Sequence, residues 1–314
     1  MGKRKRDQGP TDTSGGTDAR SNKKPASANS TSTNGGSNPK DTINLQIVTG
    51  SYDRILHGII ASIPTESNSA AEKVHFHDNF LFNGHASAIK CLALSQSSSK
   101  QDIEDDKVIL ATGGTDEKIN LYSISTSLPK GPSLPSLSSV PSLENRKNKE
   151  LGAMLHHTAT VNVLYFPTRS KLISASDDNT IAISRTRDWT VLTTVKAPHP
   201  KVQGRPSGDT APLGGAPAGI TDFSVHPSMK LMISVGKGEK CMRLWNLVTG
   251  KKANVLNFEK DLLQNVGESK WSRGEGQKVA WNNAGDEFAV AFGRGIAVFG
   301  MVGYLGPSML ILHY

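Results

Sequence analysis

Two sets of residues have the types from which acid–base and nucleophilic catalysis are built: His85, Thr112 and Asp116, then His157, Ser174 and Asp178. An imidazole beside a hydroxyl takes its proton, and a carboxylate on the far side of the ring orients and stabilises it. In both sets the hydroxyl precedes the acid by four residues, and the acid precedes the end of the next apolar run by six. An enzyme needs one such site, whereas a scaffold repeats its joints. The recurrence therefore reads as architecture. A buried Asp is tolerated only where its charge and lone pairs are satisfied, which a His and the amides of a tight turn can do.

A third copy carries Ser234, Glu239 and Trp245, with a turn one residue longer, and a weaker fourth runs from Val48 to Asp53. Tyr122 and Ser184 stand where the third copy has Trp245. His199 is the histidine expected to serve Ser234, 35 residues on. Other chemistry is sparse. His75 and His77 share an expected strand face, and His156 adjoins His157, but no Cys or acidic cluster keeps metal-ligand spacing with either pair. The pieces Gly236–Lys240 and Gly274–Lys278 lack the spacing of a phosphate-cradling loop and read as turns. Cys91 lies in an apolar run, where a thiol is inert, and no nucleophile elbow occurs. No catalysis, cofactor or metal is expected.

The elements that must position these joints are short. Runs such as Val108–Ala111, Ile119–Tyr122, Lys171–Ser174 and Met242–Trp245 are rich in branched or aromatic residues and bounded by turn formers, with no helical period. They predict strands. The strand ends at 122, 184 and 245 are 62 and 61 residues apart. Two stretches, Ser/Pro-rich 129–149 and Gly/Pro-rich 200–218, read as loop insertions. Removing roughly 20 residues from each period leaves about 42, the length of a four-stranded propeller blade. The expected fold is an all-β propeller over 43–301, with four to five blades near 43–66, 74–128, 150–196, 197–258 and 266–301. Trp281 is expected in the first strand of the last blade and Phe299 in the position of Trp245. The tail 302–314 matches no repeat.

Charge is uneven. The chain carries 36 Lys and Arg against 28 Asp and Glu, a net charge of +8. Residues 1–42 hold a basic arm without aromatic residues, expected to be disordered. Its cluster Lys3, Arg4, Lys5 and Arg6 reads as a nuclear-targeting signal. Two cysteines cannot make a disulfide framework, and no apolar run is long enough to span a bilayer, so secreted and membrane-spanning readings are set aside.

The Gly-His, Ser/Thr-x-x-x-Asp and Trp arrangement resembles the WD-repeat propeller family, whose blades hold these residues in one structural hydrogen-bonded network. The segments Ile47–Gly58, Leu155–Val161 and Ser224–Lys251 further resemble the WD-repeat ribosome-biogenesis factors also called PAK-interacting or kinase-inhibitor-like proteins. That resemblance implies seven blades, so the chain is expected to be a C-terminally truncated form. It also implies a non-catalytic scaffold of the nucleus and nucleolus in large (60S) subunit assembly and pre-rRNA processing. Implied partners are pre-60S assembly factors, ribosomal proteins and pre-rRNA, with binding and inhibition of a PAK-type kinase as the alternative. Arg185, Arg187, Lys237, Lys240, Lys251 and Lys252, near turns, are the expected partner or RNA contacts.

Overall fold

The computed structural model describes residues 42–64, 74–97, 107–127, 145, 147–199, 218–269, 271–301 and 309–313. The basic arm with Lys3–Arg6, and nearly all of the insertions at 129–149 and 200–218, lie outside the described residues.

Short runs rich in branched and aromatic residues form antiparallel strands joined in chain order, and inner ones such as Lys171–Ser176 and Leu231–Gly236 are buried along nearly their whole length. Sheet I holds β1 (Thr42–Gly50), β2 (Ile55–Pro64) and β3 (His75–Asn83). Sheet II holds β4 (Ile89–Leu94), β5 (Lys107–Gly114), β6 (Ile119–Ser125) and β7 (Lys149–Met154). Sheet III holds β8 (Val161–Thr168), β9 (Lys171–Ser176), β10 (Thr180–Arg185) and β11 (Val191–Lys196). Sheet IV holds β12 (Ile220–Val225), β13 (Leu231–Gly236), β14 (Cys241–Asn246) and β15 (Lys251–Asn257). Sheet V holds β16 (Lys278–Trp281), β17 (Glu287–Ala291), β18 (Gly295–Gly300) and β19 (Met309–His313).

The first strands of successive sheets, β4, β8, β12 and β16, lie side by side, and β1 packs on β4. Because neighbouring residues of a strand point to opposite faces, each sheet feeds two apolar layers. In β9, Leu172 enters the layer shared with Leu121 and Val161, whereas Ile173 enters the layer shared with Phe223 and Met232. Layers of this kind separate each sheet from the next, from Leu56 and Phe80 at one end to Val290 and Phe299 at the other. Sheets stacked through their inner strands, with side chains interleaved between them, are the blades of a β-propeller.

The blade boundaries differ from the sequence expectation in three places. His75–Asn83 pairs with β2 and belongs to the first sheet, not to the blade that starts near residue 74. Met309–His313, within the tail that matches no repeat, forms the fourth strand of sheet V by pairing with β18. An outer strand needs only a free edge and an extended backbone, so the repeat's turn residues are not required there. Finally, α1 (Lys260–Asn265) interrupts the all-β pattern. Six residues are too few to display a helical period, yet Leu262, Leu263 and Val266 are buried between sheets IV and V.

Candidate functional site

The loop between β3 and β4 lays His85 over the β5–β6 turn. Its Nδ1 lies 2.9 Å from Asp116 Oδ1, and its Nε2 lies 2.7 Å from Thr112 Oγ1. Facing a carboxylate, Nδ1 carries the proton. Asp116 also accepts from the Ala86 amide at 3.1 Å and the Lys118 amide at 3.4 Å. Burial alone would raise the Asp116 carboxyl, but the His85 hydrogen bond and charge, with the two amides, hold it below the usual range. The ring crosses bare backbone: a Cβ on Gly114 would stand 2.8 Å from His85 Nδ1. Glycine is required here by close approach.

Sheet III repeats the joint with an addition. His157 Nδ1 is 3.0 Å from Asp178 Oδ2 and its Nε2 is 2.8 Å from Ser174 Oγ. The neighbouring His156 also aims Nε2 at Ser174 Oγ, at 3.1 Å, with ring centroids 4.2 Å apart. One hydroxyl has one proton, so a single neutral arrangement satisfies the chain. His156 donates to Ser174, Ser174 donates to His157, and His157 donates to Asp178. Burial and the adjacent His157 push the His156 imidazole down to about 4. Burial opposes ionisation of Asp178, but bonds from His157 and Thr180 prevail and hold its carboxyl far below the usual range.

Sheet IV is built differently. Glu239 faces no histidine; its carboxylate takes both terminal nitrogens of Arg243, four residues on. The Ser234 hydroxyl accepts from Trp245 Nε1 at 2.8 Å. His199 does not reach Ser234. It follows β11 directly and bonds Asn179 of its own sheet at 2.7 Å. Tyr122, in the Trp position of sheet II, likewise misses Thr112: its hydroxyl donates to the Gly84 carbonyl at 3.2 Å. A phenol is longer than an indole N–H and overshoots the threonine.

None of these sets can meet a substrate. Thr112 is 0% and Ser174 1% exposed, so the hydroxyl that would attack is sealed between strands. Burial also pushes the Cys91 thiol up to about 12. Among the described residues no three His, Cys, Asp or Glu side chains converge on a common metal position.

The WD domain, G-beta repeat family model matches residues 77–123 and 148–183, which carry the joints of sheets II and III. The chain carries WD repeats in these two segments. It is 28% identical over 255 residues to the p21-activated protein kinase-interacting protein 1-like protein of Danio rerio, covering 81% of this chain and 50% of that protein. It is 27% identical over 277 residues to Protein MAK11 of Saccharomyces cerevisiae, covering 82% and 52%. It is 25% identical over 215 residues to Shk1 kinase-binding protein 15 of Schizosaccharomyces pombe, covering 68% and 46%. The chain spans about half the length of these relatives.

In this WD-repeat chain the six expected contact residues fall on two opposite ends of the blades. Lys237 and Lys240 flank the β13–β14 turn, at the end that carries His85 and His157. Arg185 and Arg187 lie at the β10–β11 turn, and Lys251 and Lys252 start β15, at the other end. Successive hairpin turns alternate between sheet ends, so one flat partner cannot touch all six. Lys237 is also engaged: its Nζ lies 2.6 and 2.7 Å from the two Asp177 oxygens, stapling sheet IV to sheet III. Asn162 reinforces that staple, donating to Asp177 Oδ1 at 2.6 Å and to the Ile220 carbonyl at 2.8 Å. Arg185 lies 3.5 Å from Asp188, while Arg187, Lys240, Lys251 and Lys252 are exposed. The sequence reading missed Arg243, whose signal was its place four residues after Glu239, and Trp271, for which no repeat position exists.

Proposed function

We propose that the protein is a non-catalytic scaffold of the nucleus and nucleolus that acts in large (60S) ribosomal subunit assembly and pre-rRNA processing. Its partners on this reading are pre-60S assembly factors, ribosomal proteins and pre-rRNA. The observation that carries the proposal is the burial of Thr112 and Ser174 within their joints. A molecule whose reactive sets are spent on holding strands together works through its loops and outer surface. The relationship to Protein MAK11 over 82% of the chain points those surfaces toward the ribosome-biogenesis role that the family resemblance implies. Lys3–Arg6 would serve nuclear import. Affinity purification of the tagged chain from growing cells tests the reading. Large-subunit precursor particles in the eluate are expected, and an eluate free of them overturns it.

A second reading rests on the names of two relatives, one interacting with p21-activated protein kinase and one binding Shk1 kinase. On it, the same loops bind and restrain a PAK-type kinase. Capture of a kinase regulatory region without precursor particles selects it.

A further inference from the structure

Among the described residues of the loop between α1 and β16, Glu268 and Ser272 hold the backbone, and the aromatic side chain of Trp271 is given to solvent. Glu268 spans the loop, its carboxylate accepting from the Ser272 hydroxyl and, at 3.2 Å, from the Arg294 amide. The Ser272 amide donates to the Ser269 carbonyl at 3.0 Å, and the Ser272 hydroxyl oxygen accepts from the Gly274 amide at 3.0 Å. Gly274, at φ +60°, lies flat on α1, where a Cβ would stand 2.8 Å from Leu263 Cδ1. Leu263 is itself rooted in the layer between sheets IV and V. On this held backbone Trp271 is 95% exposed, whereas Trp245 is 3% exposed. Trp is the side chain with most to gain from burial, and its backbone here is already ordered, so a partner that covers it collects that gain at small entropic cost.

The surroundings select the partner. Arg273, two residues on, is 71% exposed. The Lys240 stem lies 3.4 Å from the Cβ position of Gly274, and Lys240 and Arg294 are exposed. Of the nearby carboxylates, Glu268 is occupied within the loop and Glu275 sits 3.9 Å from Arg273. Glu259 and Asp261 stand at the start of α1. An exposed indole on a loop that also carries exposed cations is complementary to a polyanion whose units carry flat faces. We propose that Trp271 stacks on an unpaired base of single-stranded RNA while Arg273 meets an adjoining phosphate. The proposal rests on the ribosome-assembly reading for its biological setting and names the site at which that scaffold touches RNA. The site lies at the blade end that carries His85 and His157, because the β15–β16 connection corresponds to the β3–β4 and β7–β8 loops.

Fluorescence anisotropy with the full chain and a labelled oligouridylate of about 12 nucleotides tests it. Trp271→Ala should weaken binding about 10-fold or more, Trp271→Phe should stay within about 3-fold, and Arg273→Ala should flatten the salt dependence by roughly one phosphate. Both side chains are exposed, so the thermal midpoint should not move in any variant. Oligouridylate binding that Trp271→Ala leaves unchanged, or no binding by the parent chain at low salt, overturns the proposal. So does loss of a protein partner by Trp271→Ala with oligouridylate affinity intact, which would make the indole a protein anchor. The two readings fail separately. Precursor particles captured by a chain that ignores oligouridylate leave the assembly role standing, whereas RNA binding without precursor particles removes that role alone.

Discussion

Sheets III and IV solve one problem with different chemistry. Each must tie an inner pair of strands to the turn above it. Sheet III uses His157 between Ser174 and Asp178, with His156 as a second donor. Sheet IV closes its turn on itself through Glu239 and Arg243, and satisfies Ser234 from Trp245. The first joint crosses from the incoming loop to the turn and so clamps the β7–β8 connection. The second stays within β13 and β14, and the described ends of the incoming connection, His199 and Gly219, are both held by Asn179 of sheet III. A long insertion precedes β12 at that very point, and no histidine follows it before the strand. The lesson is that a blade can close its own turn with a local ion pair and leave its entry to be held by the neighbouring sheet.

The sharpest way to break this comparison is to remove one acid from each joint. Asp178→Ala should cost about 3 kcal/mol, because it strands His157 and Thr180 in a buried site; a chemical-denaturation midpoint that barely moves would refute the clamp. Glu239→Ala should cost a similar amount, about 2–3 kcal/mol, by leaving Arg243 buried without its partner. The paired replacement Glu239→Leu with Arg243→Met should recover most of that loss, to within about 1 kcal/mol of the parent, since a local ion pair can be exchanged for apolar packing. The corresponding double change at His157 and Asp178 should recover little, because the incoming loop loses its anchor.

Acid titration sharpens the contrast next. The unfolded His156 imidazole takes a proton near pH 6.5, while the folded one resists until about 4. Between those values the unfolded chain binds more protons, so stability falls as pH drops, by on the order of 2 kcal/mol over the window. His156→Gln should flatten that limb of the pH–stability profile. Asp116 and Asp178, held low in the fold, contribute stability at pH above about 4 that is lost only on further acidification. If His156→Gln leaves the slope between pH 6.5 and 4 unaltered, His156 is not the titrating element. The smallest effect is expected at Tyr122→Phe. It removes one hydrogen bond to the Gly84 carbonyl and should cost about 1 kcal/mol without disturbing Thr112, which His85 already satisfies.

Much of the scaffold was readable before any coordinates. The Ser/Thr-to-Asp spacing and the preceding histidines located the joints of sheets II and III, because turn chemistry and strand alternation are written within a dozen residues. The same logic misassigned His199, since spacing corrected for an insertion says nothing of where the inserted chain leads. It passed over β19, which matches no repeat position although Gly306, Pro307 and Ser308 precede it in sequence, and over α1, too short to show a period.

The order of residues alone therefore determined most of the strands, the joints of sheets II and III and the excess of positive charge. Tertiary structure decided which charges remain free. Lys237 and Asp177 are sixty positions apart and meet only because two blades pack side by side. Lys240 and Lys251 sit on one short hairpin yet face opposite ends of the blade. Trp271 looks like one more apolar residue in the chain and is the most exposed large one among the described residues, on a loop pinned beside it. Periodicity is a local property of a polymer, whereas exposure and charge pairing depend on distances across it, and those exist only after the sheets have stacked.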